Sequence, residues 1–543
     1  MKRLFHSFQT MKIKMKKLNL ITFLALAFTT CASAQLQHSP ARDATPPLKK
    51  PLNILLITAD DLDRNSLGCY GSKVPDISPN IDRFAAQSIR FEKSFVNAAI
   101  CVPTRAIIAT GLYGNNSGVN GFNKMKEGST IPLLMEILRS HNYAVGVLGK
   151  VSHSTPKTDF KWDYQIDQED LGSGRSPSSY YEKTKAFLAE CSKNEKPFYL
   201  MINSHDPHRP FYDPKEKAEE LAKKMNRTKA EIEKMMKGIE VPSRIYSPAE
   251  IKVPGFLPDL PGVREELSYY FNSTRRLDDT FGKTMQALNE SGFANNTLVI
   301  FIGDNGIAMP FAKANVYYAS NLSPFIIRWP GTIKPGSKNQ GDVISIIDYM
   351  PTILEALNIP SPKNIDGSSF LPLLKGKKQS GRDKAYMQID YKNSGGPTPM
   401  RSVITKQWAY IYNAWADGER VYQNNNDGLT MKAIQEASNT NLVIAERLNI
   451  YRIRMPEELY NIQKDPDCMH NLINAPVYKK QLAFLRKDLE KWMIKTKDPL
   501  LKVFQNRENK AVALKEFYIA YPEAEALDKD KENYSKNQSG KVD

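Results

Sequence analysis

The amino-acid sequence predicts an α/β fold in which a large, mostly parallel sheet is sandwiched by helices, followed by a smaller C-terminal α+β domain with an antiparallel sheet. The parallel sheet is predicted because four apolar runs are continuous instead of alternating, and because helix-length segments separate them. These runs are 53–58, 143–148, 198–203 and 297–302. The antiparallel sheet is predicted because the apolar runs become shorter and alternate from about residue 385, as in 402–412.

The segments between and after these runs have other patterns. Residues 213–240 carry many Lys and Glu side chains and are predicted to be a helix-rich, solvated insertion, and the Pro-rich stretch 253–261 is predicted to be a surface loop. A final helix is predicted over 477–495, because apolar residues recur there at helical spacing and should pack on the antiparallel sheet. These residues are Leu482, Leu485, Leu489 and Trp492.

The same patterns divide the chain into domains. We predict a main domain over 51–385, which should carry the active site, and a C-terminal subdomain over 386–528. The polar tail 529–543 is expected to be flexible.

The first residues have the three parts of a secretory signal. A basic run at 12–17 precedes an apolar run at 18–28 and a small-residue cleavage site at 32–34. We therefore predict a signal peptide over 1–34, a linker over 35–50, and export to the periplasm or the medium. A membrane anchor is one alternative, but the apolar run is shorter than the roughly 20 residues that a spanning helix needs. A lipid attached to Cys31 is another.

Charge and cysteine content narrow the classes of partner. The net charge is +16, and six of these charges lie in the leader, which leaves about +10 on the rest of the chain. A basic surface attracts polyanions, and nucleic acid and sulfated glycan satisfy that criterion equally, but export disfavours nucleic acid. The remaining cysteines are isolated in sequence, which argues against a cysteine zinc site and against a disulfide framework. They are Cys69, Cys101, Cys191 and Cys468.

Reactive polar residues follow each of the four buried runs. In an open α/β sheet the ligand crevice lies at the carboxyl ends of the strands, so these residues should converge. In chain order the clusters are Asp60 and Asp61; Lys150 and His153; His205, Asp206 and His208; and Asp304 and Asn305.

The acidic clusters predict a divalent cation. Asp60, Asp61, Asp304 and Asn305 supply carboxylate and amide oxygens, which suit calcium or magnesium and suit zinc poorly. An isolated Asp-Asp pair would more often cap a helix or sit in a solvated turn. The second pair after another buried strand favours the metal.

Cys101 is predicted to begin a helix, because Cys-Val-Pro-Thr-Arg at 101–105 precedes an apolar stretch that ends at Thr110-Gly111. The N-terminus of a helix favours an anion, and a plain thiol nucleophile would be possible there. The string Cys-x-Pro-x-Arg with the later Thr-Gly resembles the signature of the sulfatase family, with Thr104 where Ser is usual. The resemblance implies an alkaline-phosphatase-like sulfatase fold and oxidation of Cys101 to formylglycine (3-oxoalanine) by a separate maturation enzyme.

The resemblance covers nearly the whole chain after the leader. Within the family, the heparan N-sulfatase (N-sulfoglucosamine sulfohydrolase) group is the most similar, on the strings at 205–209, 297–307 and 399–403. Two features depart from it. One more residue separates Lys150 from His153 than in many sulfatases, a spacing that resembles iduronate-type sulfatases, and Tyr-Lys-Asn at 391–393 stands where a His- and Glu-containing segment is expected.

The resemblance also implies a set of site residues. One Ca²⁺ would be bound by Asp60, Asp61, Asp304, Asn305 and the modified Cys101. A hydrated aldehyde at position 101 would offer one hydroxyl to attack sulfur and a second whose deprotonation releases sulfate.

The remaining roles implied by the family fall on the cations and histidines. Arg105 would steady the formylglycine hydrate, and Lys150 and Lys313 would hold sulfate oxygens. His205 would protonate the leaving group, unless it is an ordinary satisfied core histidine, and His153 would help to expel sulfate.

These implications define the functional hypotheses. The first is a sulfatase that removes sulfate from a sulfated glycan, with the N-sulfate of glucosamine in heparan sulfate or heparin fragments as the leading substrate. The alternatives are an exo-acting O-sulfatase on another sulfated polysaccharide, a phosphoester hydrolase of the same superfamily, and a non-catalytic protein that binds sulfated glycans. No nucleic-acid partner and no stable membrane insertion are expected.

Overall fold

The computed structural model describes residues 51–392 and 396–529. The predicted signal peptide 1–34, the linker 35–50, Asn393 and all but the first residue of the predicted tail 529–543 lie outside the described residues. The strands are β1 Asn53–Ala59, β2 Ile89–Phe91, β3 Ser94–Phe95, β4 Ala144–Leu148, β5 Tyr164–Ile166, β6 Phe198–Asn203, β7 Thr297–Gly303, β8 Phe325–Arg328, β9 Ser337–Asn339, β10 Ile344–Ser345, β11 Lys384–Ile389, β12 Met400–Thr405, β13 Trp408–Asn413 and β14 Glu457–Asn461.

The α-helices lie between and after these strands. They are α1 Pro79–Ala85, α2 Cys101–Thr110, α3 Gly114–Ser117, α4 Leu134–Ser140, α5 Pro177–Lys193, α6 Ala218–Met225, α7 Lys229–Met236, α8 Pro261–Glu290, α9 Tyr318–Asn321, α10 Tyr349–Ala356, α11 Leu371–Leu374, α12 Leu429–Ser438, α13 Leu442–Arg452, α14 Lys479–Lys495, α15 Leu501–Gln505 and α16 Lys510–Ala520. A last helix covers 522–529.

The large sheet confirms the predicted α/β fold. Its strand order is β5-β4-β6-β1-β7-β8-β2-β9, and the strands from β5 to β7 in this order are all parallel. The four predicted runs are β1, β4, β6 and β7, which are neighbours in the sheet. On the far side of β7, β8 runs antiparallel to both of its neighbours, which makes the sheet mixed.

Burial on both faces of the sheet explains the continuous apolar runs. Successive side chains of a strand point to opposite faces. In β1, Ile54 and Leu56 join one hydrophobic core, and Leu55 and Ile57 join the other. Because α2 packs in the first core and α5 in the second, neither face of the strand meets water.

The C-terminal part contains a second sheet, as predicted. Its order is β11-β12-β13-β14, and every pair is antiparallel. Helix α14 packs on β12 and β13 and buries the four predicted apolar residues. The predicted insertion 213–240 contains α6 and α7, with mostly exposed side chains.

The predicted final helix is not the last one, because α15 and α16 follow it. In α16 only Phe517 is buried, so the sequence carries no apolar stripe that would reveal this helix. Among the described residues, no helix combines the length and the apolar character that a membrane span requires. The described residues belong to one compact unit, and the division at 385/386 stays a prediction.

Candidate active site

The polar residues that follow β1 and β7 lie in direct contact. The Asp61 backbone N–H donates to Asp304 Oδ1 at 3.1 Å, and Asn305 Nδ2 donates to Asp61 Oδ1 at 2.7 Å. The backbone of the β6 cluster joins them, because the Asp60 N–H donates to the Asp206 carbonyl at 3.2 Å. The carboxyl ends of these strands therefore converge, as expected for parallel strands.

The acidic cluster fits a hard cation. Asp60, Asp61 and Asp304 are fully buried, which is costly for carboxylates without a compensating charge. Within the described part of the chain, Asp60 Oδ1 and Asn305 Oδ1 are buried oxygens that accept no hydrogen bond. Asp60, Asp61 and His208 each offer one possible ligand atom, and these atoms lie within 4.8 Å of one another. Unsatisfied buried oxygens of this kind suit calcium or magnesium.

Two lysines from different loops approach the same carboxylates. Lys150 Nζ forms an ion pair with Asp60, and Lys313 Nζ lies 2.6 Å from Asp61 Oδ1. Burial alone would raise the pKa of Asp60, but Lys150, His208 and Lys313 outweigh it and hold the pKa well below its ordinary value. The cluster therefore combines dense negative charge with a positive rim, which suits an anionic group bound beside a cation.

Cys101 is the first residue of α2 and is buried beside this cluster. Pro103 is tolerated because the N–H groups of the first turn have no intrahelical partner, and Gly111 ends the helix in the left-handed conformation, with φ 65°. Burial, reinforced by Asp60, raises the pKa of the Cys101 thiol to about 12. Because the thiolate is the nucleophilic form of cysteine, an unmodified Cys101 is a poor nucleophile.

Arg105, one turn further along α2, is fully buried and binds the strand ends. Its guanidinium donates to Asp304 Oδ2 at 2.9 Å, to Thr58 Oγ1 at 3.0 Å and to Asn203 Oδ1. The structure thus places Arg105 against a carboxylate of the cluster and against β1 and β6.

The two histidines after β6 have different environments. His205 is buried, and its ring packs on Gly174 so closely that a Cβ at position 174 would lie 2.3 Å from His205 Cδ2. His208 is half-buried, and its Nε2 lies 3.7 Å from Asp61 Oδ2. Sequence reasoning assigned a role to His205 and none to His208. The available signal was the position of His208 in the same polar cluster.

His153 lies in the turn that follows Lys150, at the rim of the site. Burial, together with Lys150 and Arg105, lowers the pKa of His153 to about 3, so the ring is neutral at physiological pH. Its ring centroid lies 6.0 Å from that of Phe122. His153 is therefore near the charged groups of the cluster and also contacts the exposed ring of Phe122.

Four residues of these loops have strained backbone conformations. Asp61, Lys150, Phe311 and Ala314 have φ values of 64°, 51°, 65° and 62°, in the left-handed region that is unfavourable for residues other than glycine. Such conformations persist only where surrounding contacts enforce them, and they cluster at functional sites.

The C-terminal part enforces one of these conformations. Residues 309–317, which we term the Lys313 loop, are held by Tyr422, whose hydroxyl donates to the Ala314 carbonyl at 2.5 Å. Asn425 Nδ2 donates to the Lys313 carbonyl at 3.3 Å, and the buried Arg454 donates to Asn315 Oδ1 at 2.7 Å. No sequence motif pointed to these residues.

Comparison with known proteins identifies the family. The family model described as Sulfatase matches residues 52–359, and the model described as N-sulphoglucosamine sulphohydrolase, C-terminal, matches residues 306–451.

Individual relatives agree with the family models. The chain is 27% identical to human N-sulphoglucosamine sulphohydrolase over 83% of this chain and 91% of that protein. It is 28% identical to an ulvan-active sulfatase of Formosa agariphila, over 88% of each chain. A protein solved in complex with its substrate D-glucosamine-2-N,6-O-disulfate matches with a TM-score of 0.61 at 19% identity, over 83% of this chain and 99% of that one, which confirms the predicted alkaline-phosphatase-like sulfatase fold. The chain therefore belongs to the sulfatase family of hydrolases.

Proposed function

We propose that the protein hydrolyses a sulfate group on a sulfated sugar, with the N-sulfate of glucosamine as the leading substrate. The proposal is carried by the buried cluster of three carboxylates, which lies beside Cys101 and receives two lysines. The N-sulfate is favoured because the C-terminal family model and the human relative both carry the name N-sulphoglucosamine sulphohydrolase. The substrate named for the solved neighbour is a glucosamine that carries both an N-sulfate and a 6-O-sulfate, so it agrees with a sulfated glucosamine without distinguishing the two positions.

We infer that the active form carries formylglycine at position 101 and one Ca²⁺. The orphaned oxygens of Asp60 and Asn305 support the cation site, which these residues would form with Asp61, Asp304 and the modified Cys101. When bound, the cation would polarise a sulfate oxygen and favour the deprotonated nucleophile.

The protein's own cations would act on the sulfate group. Lys150 and Lys313 approach the cluster from two loops, so their ammonium groups would stabilise negative charge that develops on sulfate oxygens. Arg105 forms an ion pair with Asp304, so we propose that it fixes the position of that carboxylate as well as steadying the formylglycine hydrate. His153, neutral at the rim, would accept a proton when sulfate is expelled.

The proton donor to the leaving group lies in the histidine pair after β6. His205 is the residue implied by the family resemblance, but it is enclosed against Gly174. His208 directs Nε2 towards Asp61 and is partly exposed, so we propose His208 as the acid and His205 as its support.

Glutamine variants of the two histidines separate these roles. We expect H208Q to lower kcat on a sulfated sugar about 10²- to 10⁴-fold, the range for loss of a general acid. The loss should be much smaller on 4-nitrophenyl sulfate, whose leaving group needs no proton. H205Q should lower both activities together. A selective loss on the sugar in H205Q, with H208Q unaffected, would return the acid role to His205.

The function itself is tested with protein produced together with a formylglycine-generating enzyme. Release of sulfate from glucosamine 2-N-sulfate and glucosamine 6-O-sulfate, and of phosphate from glucose 6-phosphate, should be followed by ion chromatography. Release from the N-sulfate supports the proposal, and release from the O-sulfate alone would indicate an O-sulfatase. Phosphate release alone would indicate a phosphoesterase, and binding without release would indicate a non-catalytic protein.

The remaining expectations are proposals of the same kind. We propose that the leader directs export to the periplasm or the medium, and that the maturation enzyme acts on Cys101 before export. We also propose that residues 51–385 form the catalytic domain and 386–528 a C-terminal subdomain.

A further inference from the structure

The loop 118–124, which follows α3, has a well-defined conformation at the rim of the site. The side chain of Asn123 organises it: Oδ1 accepts from the Gly121 N–H at 3.0 Å, and Nδ2 donates to the Gly118 carbonyl at 2.6 Å. An amide that bonds backbone groups on both sides of a turn fixes the turn without regular secondary structure. We term residues 118–124 the rim loop.

The rim loop is also attached to its surroundings on two sides. On one side Lys124 Nζ donates to the Thr155 carbonyl at 2.8 Å and to the Ser152 carbonyl, so it binds the turn that contains His153. On the other side Gly121 packs on Tyr391, where a Cβ at position 121 would lie 2.9 Å from Tyr391 Cβ. The position of the loop is therefore set by both the turn after β4 and the C-terminal part.

This fixed loop leaves one large apolar side chain in water. Val119 within the loop and Met125 directly after it are buried, whereas Phe122 is 46% exposed. The ring of Phe122 meets the ring of His153 at an interplanar angle of 79°. Exposure of a phenyl ring forgoes hydrophobic stabilisation, and here the ring is held exposed beside a residue of the candidate active site.

The chemistry of the ring indicates what it would bind. One face of a pyranose ring presents mainly C–H groups, and these carry partial positive charge because the ring carbons bear oxygen. The face of an aromatic ring is electronegative and apolar, so it complements such a surface. A compact inorganic oxyanion offers no comparable face.

We propose that Phe122 is a specificity-determining residue that stacks on the sugar ring of the substrate at the rim of the site. The inference rests on the proposed function, because it assumes that a sulfated sugar is the substrate. It assigns recognition of the sugar to the rim loop and recognition of the sulfate group to the buried cluster.

Phe122→Ala, Phe122→Trp and Phe484→Ala test the proposal in the mature, full-length enzyme. Phe484 is a matched control because it is an exposed phenylalanine, 59% accessible, on α14. We expect F122A to raise the KM for glucosamine 2-N-sulfate about fivefold, the scale of one aromatic contact. It should leave kcat within about twofold and leave the inhibition constant of inorganic sulfate unchanged. F122W should keep the wild-type KM, and F484A should change none of these constants.

An unchanged KM in F122A would overturn the proposal, as would a rise of equal size for inorganic sulfate. Failure of the proposed function would look different, because the wild-type enzyme would release no sulfate from any sugar. In that case the test is calorimetric titration of glucosamine 2-N-sulfate into wild-type and F122A proteins in which Cys101 is not converted, which measures sugar binding directly. Weaker binding to F122A than to wild type would support stacking of the sugar on Phe122, and equal or undetectable binding to both would overturn it.

Discussion

Replacement of Cys101 by Ala is expected to abolish sulfate release, with a loss of at least about 10³-fold, the scale seen when a nucleophile is removed. The residue is buried at the N-terminus of α2 beside three carboxylates, and no other cysteine occupies such a position among the described residues. The chain should still fold, because the change removes one sulfur atom from the core. Sulfate release measures the effect, and the thermal midpoint of unfolding checks the fold.

Cys191→Ala is the matched control, because Cys191 is also buried but lies on α5 in the other hydrophobic core. It should lower stability by a similar amount and leave sulfate release intact. Peptide mass spectrometry of the wild-type enzyme should find formylglycine at position 101. Full activity in C101A, or only intact cysteine in active wild-type protein, would contradict the proposed nucleophile.

Replacement of Asp60 by Asn should remove both the calcium response and most of the activity. A cation that stabilises developing charge contributes several kcal/mol to the transition state, so its loss should slow turnover about 10³-fold. Calcium binds only the folded state in this scheme, and at about 100 times its Kd it should stabilise the wild-type protein by about 2.7 kcal/mol. Thermal unfolding with calcium and with EDTA measures this stabilisation, which should be absent in D60N.

Asp348→Asn provides the control, because Asp348 is a buried carboxylate outside the candidate site. Its Oδ2 lies 2.7 Å from the Arg382 guanidinium. It should lower the thermal midpoint and keep the full difference between calcium and EDTA. An unchanged midpoint of the wild-type protein under both conditions would argue against a calcium site. A normal calcium response in D60N would argue against Asp60 as a ligand.

The sequence predicted the half of the sheet that carries the chemistry. Strands β1, β4, β6 and β7 are buried on both faces, so their apolar runs are unbroken. Because these strands are parallel, the reactive residues that follow them lie at one edge of the sheet. Strands β2 and β9 have three residues each and show no period that could be read. Their pairing is set by tertiary contacts, which a local pattern cannot show.

The site was predicted as a set of residues rather than as an arrangement. His205 and His208 are three positions apart after the same strand, and only the course of the turn decides which ring is enclosed and which faces the cluster. Lys313 follows no buried strand directly, so the family resemblance alone singled it out. The residues that hold its loop lie more than 100 positions further along the chain and have no local signature.

The hydrogen bonds between the C-terminal part and the Lys313 loop limit how segments of this enzyme can be exchanged with those of its relatives. Tyr422 and Asn425 bond to backbone carbonyls of the loop, whereas Arg454 bonds to the side chain of Asn315. A chimera joined near residue 385 would combine a loop from one parent with supports from the other. Backbone contacts could survive such an exchange, but the pair of Arg454 and Asn315 would have to be inherited together. Hybrid sulfatases should therefore be designed with 309–317 and 422–454 as one transferable block.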